Sequence, residues 1–227
     1  MFIERPAEGN ALREAAPAHA CGIVTRRALI GGVMAGALVG LAPSASADDV
    51  SREMILNDPA APTSGNPKGD VTIVSFFDYN CPFCKQAMAP LASVMKSDGN
   101  IRLVYKDWPI LTEASVYGAK AALAAHYQGK YEAVHEALMS IEGRRVGEER
   151  MRQAIEASGV DMTRLEGDAK KHDAEITALI RRNGAQADAL GLQGTPVYLI
   201  GPFMVASALD EMGFRQVVKD ARESVQQ

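Results

Sequence analysis

VTIVSFFDYNCPFCKQAMAPL, residues Val71–Leu91, is the stretch whose reading decides the fold. Val71–Phe77 is a mostly apolar run of strand length, rich in β-branched and aromatic residues. Asp78-Tyr79-Asn80 breaks it. From Cys84 onward, Ala87, Met88, Leu91, Ala92, Val94 and Met95 fall at helical spacing. The tetrapeptide Cys81-Pro82-Phe83-Cys84 therefore opens a helix directly after a core strand. The N–H groups of a first helical turn lack intrahelical partners, and the helix dipole adds partial positive charge there. A thiol so placed loses its proton more easily, and the thiolate is the nucleophile. Pro82 suits the first helical position, where a missing N–H costs little and φ is preset. Residues three apart share a helix face, so the two sulfurs can close a disulfide with little backbone movement. The expectation is that Cys81, at the exposed helix start, attacks, and that Cys84, one turn in, is the buried resolving thiol.

Other uses of the pair fit less well. A CxxC is half of many zinc sites, but the second CxxC or HxxxH that completes such a site is not in the sequence. A structural disulfide spanning two residues would close a very small loop and restrict the unfolded chain little. Redox chemistry is the reading these residues favour.

FFDYNCPFCK at 76–85, YKDWPIL at 105–111 and Gly194-Thr195-Pro196 together resemble the DsbA family of thiol–disulfide oxidoreductases, and within it the Com1-like branch of secreted bacterial proteins. The resemblance runs from Met54 to Val218. It implies an α/β (α+β) architecture: a thioredoxin fold with a helical domain inserted between the second strand and a cis-proline hairpin. Periodicity alone supports only α/β or α+β. By the resemblance, Pro196 is cis and faces the CxxC, and the Thr195 backbone pairs with an extended substrate in the manner of strand addition. Read without the resemblance, Pro196 is an ordinary trans proline at a strand start. Pro82 and Phe83 are assigned to substrate contact, with Phe83 as an apolar platform or a packing residue. Tyr79 and Trp108 either extend that surface or belong to the core. Lys85 and Lys106 either favour the Cys81 thiolate or are solvated. One departure stands out. Six positions before the first cysteine, where DsbA-type proteins commonly carry a buried acid, this chain has Ser75.

The 227 residues are 47% hydrophobic and 23% charged with a net charge of −4, an ordinary globular balance that points away from nucleic acid and anionic membrane surfaces. Residues 1–47 read as an export signal: Arg26-Arg27, an apolar Gly-rich run from Ala28 to Ala42, and a small-x-small cleavage site at Ala45-Ser46-Ala47. The run is shorter than the ~20 residues of a membrane span. The paired arginines also match a twin-arginine signal. Cys21 precedes the apolar run and reads as a passenger of the removed segment. The mature chain then keeps only Cys81 and Cys84, which suits an enzyme that exchanges disulfides without being held together by them.

The domain plan that follows has an arm at 48–70, a thioredoxin-like domain from 71–111 and 191–227, and a helical insertion at 112–190. The arm holds one or two helical turns at Val50–Leu56, then an irregular Pro/Gly-rich stretch at Asn57–Gly69. Ile101–Lys106, Pro196–Ile200 and Phe203–Ala206 read as further strands, and Asp210–Val225 as a closing helix. Asn183-Gly184 is a candidate helix break, and Pro90 a bend in the CxxC helix. His126, His135 and His172 lack paired spacing and read as surface or core residues.

The functional expectation is an exported, periplasmic, monomeric oxidase that passes a Cys81–Cys84 disulfide to reduced secreted proteins. It needs no external cofactor and no metal, and a membrane partner of DsbB type reoxidises it. The rivals are a disulfide isomerase or reductase using the same site, and a copper carrier binding through the CxxC.

Overall fold

The structure is a computed structural model that describes residues 48–225. The segment read as an export signal, with Cys21, Arg26-Arg27 and the small-x-small site at Ala45-Ser46-Ala47, lies outside the described residues. The chain begins with α1 (Arg52–Asn57), β1 (Thr63–Gly65) and β2 (Val71–Phe77), followed by α2 (Pro82–Asp98) and β3 (Ile101–Asp107). Five helices come next: α3 (Glu113–His126), α4 (Tyr131–Met139), α5 (Glu148–Ala157), α6 (Met162–Lys171) and α7 (Asp173–Ala189). The hairpin β4 (Val197–Ile200) and β5 (Phe203–Val205) and the helix α8 (Glu211–Val225) close the fold.

The sheet runs β1-β3-β2-β4-β5. β2 and β3 are parallel, as the α2 crossover between them requires, and the remaining pairs are antiparallel. Alternation along the central strands sorts two cores. Ile73, Phe77, Leu103 and Tyr105 face the core shared with α2 to α4 and α8. Val74, Phe76, Val104 and Trp108 face a second core with Ile55, Ala187 and Val197. Both faces of β2 are thus covered, which is why its sequence reads as a continuous apolar run.

Three local expectations change. The Pro/Gly-rich arm contains a strand, β1, pairing antiparallel with β3 from Thr63↔Val104 to Gly65↔Arg102. Gly65 has φ +75, and a side chain there would collide with the Ile101 carbonyl, so this edge approach needs glycine. α7 passes through Asn183-Gly184 without a break: Asn183 is buried and donates to the Asp107 carbonyl at 3.1 Å. Lys106 is fully buried on the second face, 3.9 Å from Asp58, away from the cysteines. Arg182 completes that group, donating to Asp58 at 2.7 and 2.9 Å.

Candidate active site

β2 delivers the chain to the rim of the sheet and α2 starts there. Cys81 is the N-cap of α2, and its sulfur accepts the Cys84 backbone N–H at 3.4 Å. Pro82 occupies the first helical turn, as its missing N–H and fixed φ allow. Two residues that the sequence reading passed over as turn formers hold this junction. Asp78 is buried and accepts four hydrogen bonds, from Asn80 N, Ser115 Oγ, Ile110 N and Leu111 N, all at 2.7–2.9 Å. Asn80 accepts from Val146 N at 2.7 Å and donates to Thr112 Oγ1 and the Val146 carbonyl. Together they bind the CPFC turn to the loops flanking α3 and α5. The only trace in the sequence is two polar residues between a core strand and a CxxC.

Across the rim, the Thr195–Pro196 peptide bond is cis. The Thr195 carbonyl lies 3.2 Å from Cys81 Sγ and accepts from it in the thiol form. The GTP motif and the CPFC turn, 114 residues apart, therefore meet. Phe83 is 54% exposed and forms one wall of a groove of about 500 Å³ with Gly194, Thr195, Pro196, Met204 and Ala208. Of the other residues singled out by sequence, Tyr79 is core, its hydroxyl 3.1 Å from His135 Nδ1. Trp108 is also core, edge-on to Phe76. Lys85 donates to the Ile141 carbonyl at 2.7 Å and to that of Gly143 at 3.3 Å, tying α2 to the loop after α4.

The two thiols are both present as free cysteines, each only 3% exposed. Cys81 is therefore not the exposed residue that the helix position alone implied, because the cis-proline loop covers it. What separates the pair is electrostatic surroundings. The Cys81 pKa is lowered to about 6, chiefly by a hydrogen bond from Cys84, against the opposing effect of burial. The Thr195 hydroxyl, which is buried and otherwise without a partner, and the N–H groups of Cys84 and Phe83 add to the lowering. Burial pushes the Cys84 thiol far up, and its hydrogen bond to Cys81 and that neighbour's charge push the same way. At neutral pH the arrangement provides one thiolate held at a helix N-terminus and one thiol ready to donate to it. Among the described residues, no three His, Cys, Asp or Glu side chains gather to hold a metal ion.

Residues 57–220 match the family model described as Thioredoxin. The chain is 43% identical to a thioredoxin-like oxidoreductase from Silicibacter pomeroyi DSS-3, covering 76% of this chain and 98% of that one with a TM-score of 0.71. It is 29% identical to the thiol-disulfide exchange protein alpha-DsbA2 from Wolbachia pipientis, covering 76% and 94% of the two chains with a TM-score of 0.70. It is 28% identical to a periplasmic thioredoxin-like protein from Salmonella enterica serovar Typhimurium, covering 79% and 98% with a TM-score of 0.66. A curated Na(+)/H(+) antiporter NhaA 1 from Mycobacterium sp. (strain KMS) is 26% identical over 170 residues, which are 71% of this chain. The chain spans about a quarter, 26%, of that antiporter's length. Among the described residues, no helix is long and apolar enough to cross a membrane.

Proposed function

The chain belongs to the thioredoxin family, with the fold of DsbA-like thiol–disulfide oxidoreductases, and from that premise we propose that it is an exported oxidase using the Cys81–Cys84 pair. The observation that carries the reading is geometric: Cys81 caps α2, its sulfur takes the Cys84 N–H and faces the cis Thr195–Pro196 turn, and Cys84 lies one helical turn inside. A client thiolate attacks Cys81 of the disulfide, the Cys81–Cys84 bond breaks, and Cys84 leaves and takes a proton. A second client thiolate then attacks the client sulfur of the mixed disulfide, and Cys81 leaves as a stabilised thiolate. A low-pKa thiol leaves faster, and a stabilised thiolate favours the reduced pair, so the disulfide is oxidising. The groove of Phe83, Thr195 and Pro196 receives the client backbone, with Pro82 beside it.

Its clients are reduced or unfolded secreted proteins, and a membrane partner of DsbB type restores the disulfide. The protein works as a periplasmic monomer without a further cofactor, and its Com1-like assignment rests on the residues already quoted. The periplasmic relative supports the location. Equilibration of the purified protein against glutathione buffers tests the reading. A potential more oxidising than about −180 mV is expected. A potential near thioredoxin's, about −270 mV, would instead assign the same site to a reductase. Metal retained by the reduced protein through dialysis would favour a carrier.

A further inference from the structure

Behind the two cysteines the sheet presents three side chains in a row. Ser75 is the register partner of Tyr105 in β3 and of Tyr198 in β4. Register partners share a face of the sheet. A small residue between two large ones leaves a dip, and the dip opens into a cavity of about 560 Å³ whose wall includes Ser75, Cys84, Tyr105 and Tyr198. Met88 and Met95 of α2 and Met139 of α4 form its sides. Lys96, Glu132 and Glu136, all exposed, stand at its rim. The cavity therefore runs from bulk solvent, between α2 and α4, to the inner sulfur.

That sulfur has a proton to move. Cys84 must gain one when it leaves the disulfide and lose one when it attacks a mixed disulfide at Cys81. Its front is closed by Cys81 and Thr195, where the client binds. The groups facing it from the packed elements are poor bases. Tyr105 and Tyr198 are held protonated by burial, and burial leaves His135 of α4 neutral and weakly basic. Asp78 is committed to four hydrogen bonds. Among the described residues, the carboxylates in the cavity wall are Glu132 and Glu136, both at the rim.

We propose that this cavity is the proton route of Cys84, admitting small solvent-borne bases between α2 and α4 to the inner sulfur. When Cys84 attacks the mixed disulfide, the base takes its proton, the Cys84–Cys81 bond forms, and the client sulfur leaves as a thiolate. In the oxidising direction the same route returns the proton. The inference rests on the division of labour assigned above.

The test uses the aromatic disulfide DTNB on the full reduced protein. Cys81 releases one coloured thiolate in forming the mixed disulfide, and Cys84 releases the second in resolving it. The mixed disulfide is formed in acid and jumped to neutral pH, so that only the second release is followed. In the wild type that rate rises with imidazole concentration at fixed pH and ionic strength. Ser75→Leu, which fills the dip, and Met139→Trp, which narrows the passage between α2 and α4, remove the imidazole dependence and slow the second release by about tenfold or more. A second release indifferent to imidazole in the wild type, or a dependence kept by both variants, overturns the proposal. Absence of any second release would instead overturn the reading of Cys84 as the resolving thiol.

Discussion

At the residue scale, two chemically identical thiols are made different by what surrounds each. Cys81 takes hydrogen bonds at a helix start, and Cys84 is desolvated one turn inside. Ser75 lines the cavity that reaches Cys84, the neighbour of Cys81 in the pair. A carboxylate in its place would be a like charge near the Cys81 thiolate in poorly solvating surroundings, which disfavours the ionised form. Ser75→Glu is therefore expected to raise the Cys81 pKa from about 6. Thiolate absorbance against pH measures this, and an unchanged pKa would show that the side chain at 75 does not act on the pair. The CPFC turn at the start of a helix was legible in the sequence as a local motif, whereas the cis Thr195–Pro196 bond was legible only through the family resemblance. Asp78 and Asn80 were not, because their partners lie 32 to 66 residues away and no local pattern announces them. The exposure of Cys81 was misread for a related reason: the loop that covers it arrives from position 195.

At the scale of elements, α4 is attached to the sheet through rings. His135 packs against Phe77 at 4.9 Å and Tyr105 at 4.8 Å between centroids, and pairs with the Tyr79 hydroxyl. Burial lowers its pKa to about 3. In the unfolded chain a histidine takes up a proton below about pH 6.5. The unfolded state therefore binds more protons between those values, and His135 erodes stability as pH falls from about 6.5 towards 3. Asp107 works in the opposite sense, because burial raises its pKa to about 7 and protonation favours the folded state. Comparing wild type with His135→Phe cancels the Asp107 contribution. The variant should lose about 2 kcal/mol less stability than wild type between pH 7 and pH 5, although it starts lower because Tyr79 loses its partner. Urea midpoints at the two pH values check this, and equal losses in both proteins would refute it. The helices were legible through their apolar spacing. β1 was not, because its three residues are held by backbone pairing at an exposed edge and carry no alternation.

For the whole molecule, one buried charge group joins distant parts of the chain. Asp58 at the end of α1 takes two bonds from Arg182 of α7 and faces Lys106 of β3. Asp58→Ala leaves Lys106 buried without a counter-charge, at a cost of about 3–5 kcal/mol. Chemical denaturation reads this directly, and a loss under about 1 kcal/mol would mean that the group contributes little. Apart from that group, β2, α2 and the turn into β4 bring Cys81, Cys84 and Thr195 to one rim. The measurement that tests the central claim most directly is trapping of thiol-containing client proteins by the Cys84→Ala and Cys81→Ala variants, read on non-reducing gels. Cys84→Ala should accumulate mixed disulfides through Cys81, because the resolving thiol is gone, and Cys81→Ala should accumulate few. Equal trapping by the two variants, or trapping by Cys81→Ala alone, would contradict the assignment of Cys81 as the attacking thiol and Cys84 as the resolving one.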